Sequence, residues 1–257
     1  MSELGKRVSS AIIGLLLLLF IVNKGGIYLS TAILVISIIG LKEFYRAISN
    51  IGFSPYDFIG ILGSILLYIS DLFPIIQRDL IFTVSIVVLL IYMLSNKEVT
   101  LANMGITLFG IVYIPFLLFH ISYLNGSKYI WLIFIIAFGT DTFAYFTGSR
   151  FGKKKLCPKI SPKKTVEGAI GGIVGSLVLT ILYAIFMELD SIGELMILAV
   201  ISSIISQCGD LVASRIKRIS GIKDYGKLIP GHGGILDRFD SIILVAPVIY
   251  YFVRYFL

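Results

Sequence analysis

Apolar runs long enough to cross a bilayer decide what this chain can become. A hydrocarbon core about 30 Å thick needs roughly 17–25 residues of helix. Inside it, open strands and loops leave backbone N–H and C=O groups that lipid cannot pair. Nine runs follow one another, at approximately 8–22, 26–41, 57–73, 79–95, 101–123, 128–148, 167–187, 193–213 and 238–257. The chain is 57% apolar and 14% charged, against roughly 45–50% and 25% in soluble domains. It is therefore read as an all-α, polytopic integral membrane protein. The first two runs are short, and fit one re-entrant hairpin as well as two crossings. Val8 to Val22, after Lys6-Arg7, has the outline of a signal peptide but ends in Asn23-Lys24-Gly25-Gly26 without a small-residue cleavage site. It is read as an uncleaved first span.

Charge orients the spans. The net charge is +7, but the basic residues fall between apolar runs rather than along one soluble face, which argues against nucleic acid as a partner. Of the 22 Lys and Arg, 18 lie on one side: Lys6, Arg7, Lys42, Arg46, Lys97, seven from Arg150 to Lys164 and six from Arg215 to Arg238. Only Lys24, Arg78, Lys128 and Arg254 lie on the other. The positive-inside rule then puts the N-terminus and both basic loops in the cytoplasm. Cys157 and Cys208 form neither a disulfide framework nor a C-x-x-C metal site. Pro115 should kink the fifth span. His120 reads as a packing histidine, and Glu43 with Arg46 as a surface pair at a helix end.

Chemistry begins in the sixth span, where Asp141 should sit about 12 Å deep at 1.5 Å per residue. An aspartate at a helix centre costs on the order of 2.5–3.5 kcal/mol to insert, so a polar partner or a cavity must meet it. The loop from Gly148 carries Arg150, Lys153, Lys154 and Lys155, read as orientation and headgroup charge. Its Gly-x-x-x-Gly-Lys-Lys start is one residue short of a P-loop and lacks the following Ser/Thr. Ser161-Pro162 reads as an N-cap and first helical residue. That would put Lys163 and Lys164 in a first turn beside free N–H groups, an arrangement suited to phosphate. Gly168, Gly171, Gly172 and Gly175 read as close helix packing. Asp210, about one turn inside the eighth span's basic end, is placed to reach a metal.

Ser214 to Asp240 is then a polar loop between the eighth and ninth spans, with six Lys/Arg and three Asp. Gly231, Gly233 and Gly234 around His232 permit positive φ and exposed amides that can cradle an anion. Asp237 and Asp240 share a face at the start of the ninth helix. With Asp210, Asp141 and Asp224 they form an oxygen-rich set suited to Mg²⁺, which takes few carboxylates, waters and substrate phosphates. Lys217, Arg218, Lys223, Lys227 and Arg238 supply the opposite charge.

The pattern S-x-I-K-R-x4-K-D-x-G-x2-I-P-x-H-G-G-I-x-D-R-F-D from Ser214, matched at all 27 positions, resembles the signature of the phosphatidate cytidylyltransferase (CDP-diacylglycerol synthase) family. Asp141-x-x-Ala144-Tyr145 and Ser161-Pro162-Lys163-Lys164-Thr165-x-Glu167-Gly168 resemble that family too. The resemblance implies an enzyme of the cell (inner) membrane, its site facing the cytoplasm. It would make CDP-diacylglycerol and pyrophosphate from CTP and phosphatidate with Mg²⁺, with room for a second metal ion and for a homodimer. Residues 1–125 would be scaffold or lipid-facing helices and 126–257 the catalytic region. Asp210 and Asp237 are expected as metal ligands, with Asp141, Asp240 and Asp224 beside them. Lys217, Arg218 and His232 would act in catalysis. Lys163, Lys164, Thr165, Ser214, Lys223, Lys227, Gly233, Gly234 and Arg238 would bind substrate. The rival readings are another CTP-dependent lipid enzyme, such as a polyprenol kinase, and an ion or phosphate transporter. A transporter fits less well, because the polar elements lack counterparts in the first half. Asp237→Ala should abolish CTP- and Mg²⁺-dependent product formation in detergent; substantial retained activity would remove Asp237 from the ligand set.

Overall fold

A computed structural model of the chain describes residues 3–73, 75–96 and 98–257. Lys97, and the side chains of Lys6 and Arg7, lie outside the described residues. The element order is α1 (Glu3–Lys24), α2 (Gly26–Ser49), α3 (Asp57–Leu72), α4 (Arg78–Ser95), α5 (Leu101–Ile111), α6 (Ile130–Phe151), β1 (Lys155–Cys157), β2 (Ser161–Thr165), α7 (Val166–Phe186), α8 (Ile192–Ile219) and α9 (Leu236–Phe256). Among the described residues, α2, α4, α6, α7, α8 and α9 are long and apolar enough to cross a membrane. Val8–Lys24 and Leu101–Phe116 are shorter apolar helices, and α3 has only 16 residues. The expected fifth span does not run unbroken to residue 123. A π-turn at Val112–Phe116 surrounds Pro115, whose missing N–H and ring disrupt the α ladder, and a 3₁₀ turn follows at Ser122–Leu124.

The chain divides into two units, and the first joins the residues up to Asn125 with Ile219–Arg238. Tyr45 of α2 is almost fully buried where Gly60 of α3 and Gly110 of α5 leave room for its ring. Its hydroxyl donates to the Thr107 carbonyl at 2.7 Å. At another point Asp71 of α3 accepts hydrogen bonds from Ser30 of α2 at 2.5 Å and from Ser122 at 2.7 Å. One carboxylate thus ties three segments where apolar contact alone gives no register. The Arg78 guanidinium stacks 3.3 Å from the Tyr123 ring centroid, a cation–π contact. His120 is buried with Nδ1 3.0 Å from the Phe116 carbonyl oxygen and its ring against Phe116 and Tyr123, a packing role as expected.

The second unit comprises Gly126–Arg218 and Phe239–Leu257. Here α6 and α7 pack so closely that a Cβ at Gly168 would lie 2.8 Å from the Ala144 carbonyl oxygen, and one at Gly172 2.8 Å from that of Thr140. Thr140 donates to Ser203 of α8 at 2.8 Å, and Gln207 of α8 donates to the Ala169 carbonyl at 3.1 Å. Gly209 of α8 lets the Asp240 backbone of α9 approach, its absent Cβ lying 2.6 Å from the Asp240 carbonyl. Small residues bring these backbones together because lipid offers no hydrophobic drive for helices to associate.

Gly168→Ala and Gly172→Ala each press a methyl group against backbone that cannot yield. Overpacking of about 1–3 kcal/mol should lower the melting temperature in detergent by roughly 3–10 °C. Gly105→Ala, where a Cβ meets nothing within 4 Å, should not lower it; thermal unfolding of the three variants checks the contrast.

Candidate active site

The first set of site residues lies in the second unit. The sequence places an N-cap at Ser161 and Lys163-Lys164 in a helical turn, and the structure corrects this. Ser161–Thr165 is a strand, antiparallel to β1 with Lys155 opposite Thr165 and Cys157 opposite Ser161. Pro162 fixes φ near −65° and biases Ser161 towards extended backbone, which suits an edge strand as well as a cap. Two lysines in a first turn would oppose the helix dipole. The cap is Thr165, whose Oγ1 accepts the Gly168 N–H at 3.1 Å. Glu167, in the first turn of α7 where negative charge is favoured, accepts the Lys153 N–H at 3.0 Å and that of Lys154 at 3.2 Å. Arg218 Nε donates to the Ile160 carbonyl at 3.3 Å, holding the hairpin's other end to α8.

A cavity of about 390 Å³ opens beside this hairpin, lined among others by Asp141, Tyr145, Lys163, Lys164, Gln207 and Asp210. Lys164 and Asp210 form an ion pair there, each side chain 25% exposed. Asp141 is exposed rather than buried. It meets its polar requirement by facing this cavity, and its Oδ2 accepts from Ser241 Oγ at 3.5 Å. Asp210 belongs to α8, which continues past the expected end of the eighth span at residue 213 to Ile219. Arg and Lys are good helix formers, and Lys217 and Arg218 in the last turn complement the dipole. Asp210 also accepts from Ser214, one turn on, at 3.2 Å. Asp240 of α9 is 9% exposed and feels the charges of Asp210 and Asp141 together with that of Lys217.

The donor chemistry fits a divalent cation. Three carboxylates within electrostatic reach of one another repel unless positive charge lies among them, and two lysines already supply part of it. Among the described residues no three His, Cys, Asp or Glu side chains form a ready metal cage. A shell of that kind is not what Mg²⁺ requires, since it binds through one or two carboxylates and takes the rest from water and substrate phosphate.

The second set lies in the first unit, on the loop that joins α8 to α9. The loop is shorter than the sequence implies, because Ser214–Ile219 belongs to α8 and α9 begins at Leu236. Gly221, with φ +68°, ends α8 as a left-handed residue. Ile229 to His232 forms a turn in which the His232 N–H donates to the Ile229 carbonyl at 2.9 Å. Pro230 and Gly231, with φ +78°, occupy its central positions as a type II turn requires. The Ile229 N–H closes the turn onto the Gly233 carbonyl at 2.9 Å. His232 Nδ1 lies 2.9 Å from Ser10 Oγ of α1, and Ser10 Oγ also lies within 3.2 Å of the Pro230 carbonyl. Lys223, Asp224, Lys227, His232, Gly233 and Arg238 line a cavity of about 620 Å³.

The glycine-rich turn does not offer its amides as the expected anion cradle throughout. Asp237 Oδ2 accepts the Tyr225 N–H at 2.8 Å and the Gly234 N–H at 3.0 Å. Glu43 of α2 accepts the Ile235 N–H at 3.1 Å and the Leu236 N–H at 2.8 Å. The protein's own carboxylates thus fill the start of α9. Glu43 is more than a surface pair with Arg46, whose charge it still feels. The helix that carries it runs on to Ser49 and delivers its carboxylate to the loop. Only Gly226 and Gly234, against whose missing Cβ atoms Glu43 lies, hinted at it in the sequence.

Each unit therefore gathers its own part of the expected set. The second holds Asp141, Lys163, Lys164, Thr165, Asp210, Ser214, Lys217, Arg218 and Asp240, and the first holds Lys223, Asp224, Lys227, His232, Gly233, Gly234, Asp237 and Arg238.

The family model described as the cytidylyltransferase family matches residues 5–256. The phosphatidate cytidylyltransferase of Staphylococcus epidermidis is 36% identical over 250 residues, covering 95% of this chain and 96% of its own length. Those of Staphylococcus aureus and Staphylococcus haemolyticus are similar to the same extent, 36% over 250 residues.

Glu167→Ala removes the acceptor for two hairpin amides. Hydrogen exchange across Lys153–Cys157 should rise about tenfold, as loss of roughly 1.4 kcal/mol of local protection requires. Mass-spectrometric exchange on the peptide reads it, and an unchanged rate would mean that other contacts hold the hairpin.

Proposed function

We propose, for a chain that belongs to the cytidylyltransferase family, that it transfers the cytidylyl group of CTP to phosphatidate, giving CDP-diacylglycerol and pyrophosphate. The observation that carries this reading beyond family membership is the cavity where Lys163 and Lys164 meet Asp141 and Asp210. Phosphate-binding cations and metal-binding carboxylates share one small space there. Both substrates are polyanions that must approach each other, so the site has to neutralise more than one phosphate.

In the proposed reaction a phosphatidate phosphate oxygen forms a bond to the α-phosphorus of CTP, and the bond from that phosphorus to the β-phosphate's bridging oxygen breaks. The electron pair leaves with pyrophosphate. A phosphate monoester carries about −1.5 to −2 charge at neutral pH, so no strong general base is needed. Lys163 and Lys164, with Thr165 and Ser214 beside them, hold phosphates in the second unit, and Lys217 and Arg218 stabilise the charge that develops there. Lys223, Lys227 and Arg238, with the Gly233-Gly234 backbone, bind phosphate in the first. His232 serves as a hydrogen-bond donor to phosphate.

Asp210, with Asp141 and Asp240, and Asp237, with Asp224, are the carboxylates that would hold Mg²⁺ and any second metal ion. Bound there, metal supplies charge neutralisation of phosphate oxygens. Asp237 Oδ2 accepts two loop amides, so the same carboxylate would serve both the loop and a metal. The protein is an integral membrane enzyme, for which we propose the cell membrane, a cytoplasm-facing site, contact with surrounding membrane lipid and, by resemblance alone, a homodimer. Eighteen of its 22 Lys and Arg on one side support that orientation.

Label position tests the reaction. Purified protein with phosphatidate and Mg²⁺ should move ³²P into lipid from α-labelled CTP and not from γ-labelled CTP; label from the γ position would instead identify a CTP-dependent lipid kinase. Asp210→Asn and Lys164→Met should each lower kcat by roughly 10²–10³-fold, as loss of one transition-state contact does.

A further inference from the structure

We infer that Glu43, in the N-terminal half of the chain, is a positioning residue for the catalytic loop. The inference rests on the cytidylyl-transfer reading above. Its carboxylate accepts the N–H groups of Ile235 and Leu236 at 3.1 and 2.8 Å, immediately before Asp237 and Arg238. A carboxylate in that place complements both the unpaired first-turn amides and the positive end of the α9 dipole.

The loop is built to admit it. A Cβ at Gly226 would run into Glu43 Oε1, and one at Gly234 would lie 2.6 Å from Oε2. The Gly226 and Gly234 backbones also run side by side, the absent Cβ of one being 3.1 Å from the Cα of the other. Glu43 therefore pins both limbs of the loop where they pass one another. Lys223 and Lys227 lie along the first limb, His232 on the second, and Arg238 just beyond it, and all four line the basic cavity. Glu43 does not line that cavity, nor the one beside the hairpin. It sets the position of phosphate-binding side chains without touching phosphate.

A second consequence follows from charge. With the α9 amides filled by a carboxylate, an incoming phosphate is turned away from the helix start and towards the Lys223, Lys227 and Arg238 side chains. Removing Glu43 both loosens the loop and opens a competing anion site on the Ile235 and Leu236 amides.

Glu43→Gln and Gly226→Ala, which attack the same contact from opposite sides, test the inference in the full-length detergent-solubilised protein, with Lys42→Ala, an exposed neighbour, as the control. Misplacement by about 1 Å can cost 10²-fold in rate, so kcat should fall 10- to 100-fold in both variants, with KM for CTP and phosphatidate within about threefold. Trypsin should cut after Lys223 and Lys227 several-fold faster than in the parent, and Lys42→Ala should change neither readout. In a Glu43→Ala background, Gly226→Ala should cost clearly less than in the parent, because the clash with the carboxylate is gone and only the 3.1 Å approach to the Gly234 Cα remains. The inference is overturned by parental cleavage rates in Glu43→Gln, by kcat within twofold of the parent, or by a change confined to KM. A parent protein that makes no CDP-lipid at all would sink the cytidylyl-transfer reading, while the trypsin comparison would still judge what Glu43 does to the loop.

Discussion

Four backbone N–H groups around the start of α9 need acceptors, and two carboxylates provide them. Glu43 takes those of Ile235 and Leu236, and Asp237 takes those of Tyr225 and Gly234. An unpaired amide in this setting costs about 1–3 kcal/mol, so the loop cannot relax without losing several such bonds together. The type II turn at Pro230-Gly231 is small and local. The carboxylates fix where that turn sits, and with it the direction of His232 and the lysines beside it.

The same logic governs the hairpin between α6 and α7. Thr165 caps α7, Glu167 collects two hairpin amides, and Arg218 reaches the Ile160 carbonyl. Polar side chains in both units are spent on ordering backbone before any substrate arrives. The lysines on those backbones are then held at defined positions, and electrostatic catalysis depends on charges placed in advance of the reaction.

Much of this was legible in the sequence, because apolar length and Lys/Arg distribution are local quantities. The long apolar helices and the basic loops between them could be read that way. Helix ends were harder. Ser161-Pro162 and Thr165 are both good caps by composition, and the choice between them depends on pairing with Lys155–Cys157, which no local pattern specifies. The extension of α8 through Arg215 and Lys217 had a usable signal in Gly221, the residue able to end it in a left-handed conformation. Depth along its span demanded a polar partner or a cavity for Asp141, and the side chain lines a cavity; which residues share that cavity is not a local quantity. Glu43 was out of reach for another reason. Its partner amides lie 192 and 193 residues away, and a carboxylate near a helix end has an adequate local explanation in the arginine three residues on.

The two-stranded ribbon of β1 and β2 carries a further meaning in a chain that is otherwise helical. A ribbon of two strands has two open edges, and hydrocarbon cannot satisfy the N–H and C=O groups they present. Lipid tails therefore cannot surround it; water, headgroups or a water-lined cavity such as the one beside it must meet those edges. Since Lys164 sits on that ribbon and pairs with Asp210 of α8, the ribbon works as a depth gauge. In the reaction proposed above, it would moor the mouth of the cavity at the level where a lipid phosphate meets water, the height at which a soluble nucleotide and a membrane-bound acceptor can be offered to the same side chains.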